Sequence, residues 1–86
     1  MLYSTSKKFD KQFSKLPKSI QQKAISRIGV FIEDPFNPLL NNHALHGDYA
    51  EYRSINITAN IRAVYKENPK GFCYFIAIGS HSELYT

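Results

Sequence analysis

The spacing of apolar residues changes once along the chain, and this change constrains the fold more than any other feature. Up to Ile32, apolar residues recur every three or four positions, as on one face of a helix. From Tyr52 onward they alternate or form short β-branched and aromatic runs, as in strands. The segment 34–42 between these halves has two prolines and three asparagines, which favour a connecting loop. The fold class is therefore predicted to be α+β.

The first half predicts two helices joined by a short link. Phe9, Phe13 and Leu16 form the apolar stripe of the first helix. Pro17 ends that helix and is well placed in the first turn of the next one, because proline fits there without losing a hydrogen bond. The second stripe runs over residues 20–32. Together the two segments predict a helix hairpin.

Strands are predicted on both sides of this hairpin, at residues 2–3, 52–57, 61–65 and 72–78. Turn residues separate the last three strands, at 58–60 and 68–71. The predicted order is β-α-α-β-β-β, in one domain spanning residues 1–86. We expect a small antiparallel sheet with the helix hairpin packed on one face and the other face open. In a domain this small, that open face is the place for a site.

Charge is divided unevenly along the chain. Residues 1–30 hold seven basic residues and one acidic residue, a net charge of +6, whereas residues 31–86 hold four basic and six acidic residues, a net charge of −2. The basic part favours a polyanion such as RNA, or an acidic protein, as partner. A solvated lysine-rich helix face would explain the same charges.

Several function classes are excluded by what the chain lacks. A single cysteine, Cys73, can form neither an internal disulfide nor a thiolate metal cage, so we expect a buried, inert side chain. No apolar run is long enough to span a bilayer, and the first residues do not resemble a signal peptide. These features predict a cytoplasmic protein that does not bind membranes.

Three histidines and one arginine are the candidates for chemistry. His43 and His46 precede the second strand and His81 follows the last one, but strand order alone does not show whether they meet. Arg62 differs in parity from Ile61, so it should project from the open face. Cleavage of RNA needs a base, an acid and a cation at the phosphate, which two histidines and an arginine supply. A metal site is a weaker interpretation, because the spacing lacks the usual helical frame and carboxylates.

Four segments of the chain resemble the RelE/ParE toxin superfamily, and they occur in the order expected for it. The first and last are most similar to its YafQ-type branch, and the third is similar to the RelE and YoeB branches. The segments are His43-Ala-Leu-His-Gly47, Tyr52-Arg53, Asn60-Ile-Arg62-Ala-Val-Tyr65 and Ile78-Gly-Ser-His-Ser-Glu-Leu-Tyr85.

The resemblance implies a toxin of a type II toxin-antitoxin system. Such a protein is expected to be an endoribonuclease that cuts mRNA, often on the ribosome, without a metal or other cofactor, and to be neutralised by a small antitoxin protein. It implies catalytic roles for His43, Arg62, His81 and Tyr85. Further residues are expected to contact RNA, namely His46, Arg53, Asn56, Asn60 and Lys66.

One departure from the branch concerns catalysis. Asn56 and Asn60 stand where the YafQ-type branch tends to have a histidine and an aspartate, and an amide side chain cannot transfer a proton. Either His43, His46, Arg62 and His81 suffice, or the chain cleaves RNA poorly and acts otherwise. Two alternatives are a ParE-like poison that binds DNA gyrase without catalysis, and a small module that binds RNA or protein through its lysine-rich helices.

Overall fold

The computed structural model describes residues 1–84 in full and the backbone of residue 85. Its regular elements are β1 (Leu2–Thr5), α1 (Lys7–Ser14), α2 (Lys18–Glu33), β2 (His43–Ala44), β3 (Arg53–Asn56), β4 (Ile61–Glu67), β5 (Phe72–Ser80) and α3 (His81–Tyr85), with short 3₁₀ turns at Pro38–Leu40 and Gly47–Tyr49. The α+β class, the helix hairpin and the predicted strands are confirmed. The strand β2 and the helix α3 were not predicted.

Local hydrogen bonds explain where the two long helices begin and end. The hydroxyl of Ser6 accepts from the amide of Phe9 at 2.9 Å and so caps α1. The same hydroxyl donates to the carbonyl of Ile76 in β5 at 2.9 Å, which ties the cap to the sheet. At the other end of α1, the amide of the Gln21 side chain donates to the carbonyls of Phe13 and Leu16, at 3.1 and 3.0 Å. These bonds close the hairpin, because they join the carbonyls at the end of α1 to a side chain of α2; the Phe13 carbonyl also accepts from the amide of Leu16 at 3.0 Å.

The sheet has five strands in the order β1-β5-β4-β3-β2. The strands from β2 to β5 pair antiparallel with their neighbours, but β1 pairs parallel with β5. The expectation of a wholly antiparallel sheet is thus wrong at one edge. The reason is the connection: β1 leads into the helix hairpin rather than into a tight turn, and a long crossover permits parallel pairing.

The core lies between the helix hairpin and one face of the sheet, as predicted. Phe31 of α2 sits against Tyr65 of β4 and Phe75 of β5, with ring centroids 4.7 and 5.5 Å apart. All three side chains are buried. Cys73 is also buried, with its sulfur 3.1 Å from that of Met1, and burial raises the pKa of its thiol to about 11.

The loop between α2 and β2 is held to the core by Asn42. Its side-chain amide donates to the hydroxyl of Tyr65 at 2.8 Å and to the carbonyl of Pro35 at 2.9 Å. Its oxygen accepts from Nε of Arg53 at 2.8 Å, and the Arg53 guanidinium lies 5.2 Å from the ring centroid of Phe36. Arg53 therefore belongs to the side of the sheet that packs on the helices.

The second face of the sheet is not open, contrary to expectation. Ser54, Val64 and Ala77 pair across β3, β4 and β5 on this face, and all three are buried. The connection from β2 to β3 brings Leu45 and Tyr49 next to Arg62 on the same face. The result is a cleft rather than a flat surface. No helix within the described part of the chain has the length and apolar character needed to cross a membrane.

Candidate active site

A small cavity on the face away from the helix hairpin contains the three histidines. Its volume is about 140 Å³, and we call it the histidine cleft. It is lined by His43, Leu45, His46, Tyr49, Arg62 and His81. Four of the predicted site residues are thus brought together.

The short length of β3 explains how His43 and His81 meet although they flank opposite ends of the sheet. His43 pairs with Ser54, whereas Asn56 pairs with Arg62, which pairs with Gly79. Ser54 and Asn56 are two residues apart in β3. The row of paired residues that contains His43 therefore lies about 7 Å from the row that contains Arg62 and Gly79. The residues after Gly79 and those after β2 therefore reach the same cavity.

His43 has a defined orientation and tautomer. Its Nδ1 lies 2.9 Å from the carbonyl oxygen of Asn41. Because a carbonyl oxygen can only accept, Nδ1 must carry the proton in this bond, and Nε2 of the neutral ring is left as a proton acceptor. Asn41 adopts a left-handed conformation with φ of 44°, which asparagine tolerates better than most residues.

Arg62 is held in the cleft by Asn56. One terminal nitrogen of its guanidinium, Nη1, donates to Oδ1 of Asn56 at 3.1 Å. Its Nε is buried and has no hydrogen-bond partner within the described residues. An arginine fixed by one neutral partner keeps its full positive charge and most of its donors for an anionic ligand.

His81 is the first residue of α3, and reciprocal hydrogen bonds before and after it set its place. The amide of Ser80 donates to Oε1 of Glu83 at 2.9 Å, and the amide of Glu83 donates to Oγ of Ser80 at 3.2 Å. This is a capping box, which the spacing Ser-x-x-Glu encodes. Hydrogen bonds from the backbone amide and the hydroxyl of Ser80 lower the pKa of Glu83.

The predicted RNA contacts are distributed differently. Asn60 lines a second depression beside Arg62 and His81. Lys66 pairs with Glu51 at 3.3 Å, outside the residues that line the cleft. Arg53 lies on the opposite side of the sheet and packs on Phe36, so the structure does not bring it to the cleft. The side chain of Tyr85 lies outside the described part of the chain.

Two lining residues were missed by the sequence analysis. Leu45 and Tyr49 lie in the connection between β2 and β3, and Tyr49 is 38% exposed at the cleft. The available signal was an aromatic residue shortly after two histidines, in a turn that Gly47 makes possible with a φ of 65°. Among residues 1–84, no group of three or more histidine, cysteine or acidic side chains is arranged to hold a metal ion.

The family model of YafQ, a bacterial toxin of type II toxin-antitoxin systems, matches residues 1–86. The chain is similar to the crystal structure of YafQ from E. coli, with a TM-score of 0.83, 19% identity and coverage of 98% of this chain and 97% of that one. The YoeB/ParE toxin from Agrobacterium tumefaciens has a TM-score of 0.79 and 25% identity, with coverage of 94% of this chain and 99% of that one. YafQ in the E. coli DinJ-YafQ toxin-antitoxin complex has a TM-score of 0.79 and 19% identity, with coverage of 98% of this chain and 96% of that one. No curated protein matches significantly. The family match over the whole chain means that this protein belongs to the YafQ family of bacterial type II toxins.

Proposed function

We propose that this toxin is an endoribonuclease that cuts mRNA by attack of a ribose 2'-hydroxyl on the adjacent phosphate. The observation that carries the proposal is the presence of His43, Arg62 and His81 in one cavity. These side chains supply a proton acceptor, a cation and a proton donor, which this reaction needs. No protein-bound metal has a part in the proposed steps.

The hydrogen bond between His43 and Asn41 supports a role for His43 as the proton acceptor. Nε2 of His43 accepts the proton of the 2'-hydroxyl as the new bond from the 2'-oxygen to phosphorus forms. His81 donates a proton to the 5'-oxygen as its bond to phosphorus breaks. The products are a 2',3'-cyclic phosphate and a 5'-hydroxyl, so atoms and charges balance without another reactant.

Arg62 stabilises the negative charge that develops on the phosphate between these two transfers. Asn56 keeps the guanidinium in place through the bond to Nη1. Asn56 and Asn60 have no transferable proton of suitable pKa, so their proposed part is hydrogen bonding to Arg62 and to RNA. His46 lines the same cleft and is assigned to RNA contact rather than to proton transfer.

Tyr49 is suited to bind a base next to the reacting phosphate. Its ring is partly exposed at the cleft and is supported by Tyr52, with ring centroids 6.4 Å apart. Unstacked RNA bases bind on aromatic rings of this kind. The mRNA is thus held by stacking as well as by charge.

Association with the ribosome is part of the proposal. All six lysines of the first thirty residues are exposed on or beside α1 and α2. Such a surface is suited to the phosphates of structured RNA. The opposite side of the protein would then present the histidine cleft to the message.

We also propose that an acidic antitoxin binds this toxin. An apolar groove of about 380 Å³ lies between β1, α1 and α2, and Ile25 in it is 64% exposed. The charged residue in its lining is Asp10, but α1 and α2 also carry exposed lysines, so an amphipathic helix with acidic edges would match the apolar lining and the charge of the helices. A co-purified partner that is basic, or an active toxin that purifies alone without arresting growth, would count against this.

The central test replaces His81. His81→Ala and His81→Gln should lower the cleavage rate by roughly 10²–10⁴, the usual contribution of a general acid or base. Glutamine is the sharper variant, because it keeps a hydrogen bond but cannot donate the required proton. The circular dichroism spectrum and antitoxin binding should not change, since His81 lies outside the core. If either variant degrades mRNA at the parental rate, the nuclease proposal fails, and gyrase poisoning or simple binding becomes the better explanation.

A further inference from the structure

The surface depression that contains His81 does not end at the histidine cleft. Arg62 and His81 also line the second depression, together with Ala59 and Asn60 of the β3–β4 turn; we call it the turn pocket. Ala59 in turn lines a third depression with Lys23 and Arg27 of α2, which we call the helix pocket. Shared residues therefore place the three depressions in a row from the cleft over the turn to α2, and we call this row the groove.

The far end of this groove is suited to an anion. Lys23 and Arg27 are four residues apart on α2, so they project from the same face of the helix. Neither side chain has an acidic partner within the residues that the structure describes. The other polar residues of the helix pocket, Asn56 and Thr58, are neutral. Two cations without a counter-charge in a shallow groove favour a phosphate-bearing ligand.

The floor between the two charged ends is already formed. The hydroxyl of Thr58 accepts from the amides of Asn60 and Ile61, at 3.2 and 3.0 Å. The amide of Ile57 donates to the carbonyl of Ile61 at 2.8 Å, which closes the turn. RNA can therefore bind along this turn without a rearrangement of the protein.

We propose that single-stranded RNA runs from the histidine cleft across the β3–β4 turn, and that Lys23 and Arg27 bind a phosphate of the chain beyond the cleavage point. This inference rests on the proposed function for the identity of the ligand. It adds a second binding site for RNA, which the cleavage reaction itself does not need. Its consequence is a preference for substrates long enough to reach α2.

The test compares two double variants that remove equal charge. In Lys23→Ala/Arg27→Ala the far site is lost, whereas Lys8→Ala/Lys15→Ala removes two exposed cations of the α1 region that do not line the groove. Binding is measured by fluorescence anisotropy with 2'-O-methyl oligonucleotides, which cannot be cleaved, of about four and about twelve nucleotides. The slope of log affinity against log salt for the longer probe should become shallower by about 0.7 in the first variant, because the two residues bind one phosphate. The control should keep the parental slope, and both variants should bind the short probe like the parent.

Cleavage separates this inference from the proposed function. In single-turnover assays, Lys23→Ala/Arg27→Ala should raise the concentration of the longer RNA that gives half the maximal rate, because these residues contribute to binding. If the parent cleaves no RNA but its binding of the long probe still depends on Lys23 and Arg27, the nuclease proposal fails and the RNA path stands. Equal slopes for both double variants, or no binding of the long probe by the parent, would overturn the RNA path.

Discussion

Ser80 and Glu83 hold each other through two backbone-to-side-chain hydrogen bonds, of 2.9 and 3.2 Å, and His81 lies between them. A helix of five residues has little stability of its own, because it has few internal hydrogen bonds to offset the cost of nucleation. The placement of the proposed general acid therefore depends on this capping box.

Removing the cap should lower cleavage without unfolding the protein. Ser80→Ala should cost the tail helix about 1 kcal/mol, and Glu83→Ala should weaken the same cap. The cleavage rate should fall roughly fivefold if that energy is what holds His81 in position. Glu67→Ala is a matched control, because Glu67 also accepts from a backbone amide, that of Gly71 at 2.8 Å, but in a turn away from the cleft. Equal losses for Glu67→Ala and Glu83→Ala would contradict a positioning role for the cap.

The same cap should respond to acid with a defined sign. The folded protein favours the carboxylate of Glu83, so its pKa is lowered from the ordinary value of 4.5. The stabilisation of α3 is therefore fully present above pH 4.5 and is lost as the pH falls through the lowered pKa. The amide resonance of Ser80 in NMR spectra should shift through this transition in the parent. In Glu83→Gln the same resonance should not shift.

Arg62→Ala should reduce cleavage far more than Lys15→Ala. In the proposed mechanism only Arg62 meets the charge that develops on the phosphate, and the loss of one such donor typically costs ~10²–10³ in rate. Lys15→Ala removes the same charge from the protein, but Lys15 is an exposed residue that does not touch the cleft. Small and equal effects in a single-turnover assay would indicate general electrostatic attraction instead.

Tyr49→Ala should weaken RNA binding, whereas Tyr49→Phe should not. Loss of a stacked base costs about 1–3 kcal/mol, which corresponds to a roughly 5- to 150-fold weaker affinity. Phenylalanine keeps the ring and removes only the hydroxyl. If Tyr49→Phe were as impaired as Tyr49→Ala in the anisotropy assay, the hydroxyl rather than the ring would be the contact.

Much of the fold could be predicted because its signals are local. Pro17 and the apolar stripes define the helices, and the parity of Arg62 within β4 correctly predicted the face on which it lies. The meeting of His43 and His81 could not be predicted, since it depends on the pairing register and on the four-residue length of β3. These properties involve residues distant in sequence, so no local pattern reports them.

Two local signals were available but were too short for periodicity to show. The capping spacing from Ser80 to Glu83 predicts a helix start, although the helix is shorter than a detectable apolar stripe. The strand β2 has only two residues, so it has no alternation at all. The prediction of Arg53 as an RNA contact failed to place it for a different reason: it shares parity with Ile55 in β3, and only the contacts with Asn42 and Phe36 show that it lies on the core side.

Arg53→Ala should therefore lower stability rather than catalysis. It removes a 2.8 Å hydrogen bond and leaves the Asn42 oxygen without this donor, at a cost of about 1–3 kcal/mol. The midpoint of thermal unfolding should fall by about 4–8 °C for each kcal/mol. The cleavage rate well below that midpoint should equal the parental rate. A variant with an unchanged midpoint and slow cleavage would instead place Arg53 among the RNA contacts.

Because Cys73 is buried, the reactivity of its thiol reports how often the structure around it opens. Cys73 is fully buried and its sulfur lies against that of Met1, so an alkylating reagent reaches the sulfur only when this covering opens. The raised pKa also keeps the sulfur protonated, and hence unreactive, at neutral pH while the protein is folded. Its rate of labelling should then report the free energy of the opening that exposes Cys73 in the unmodified protein, without an engineered probe.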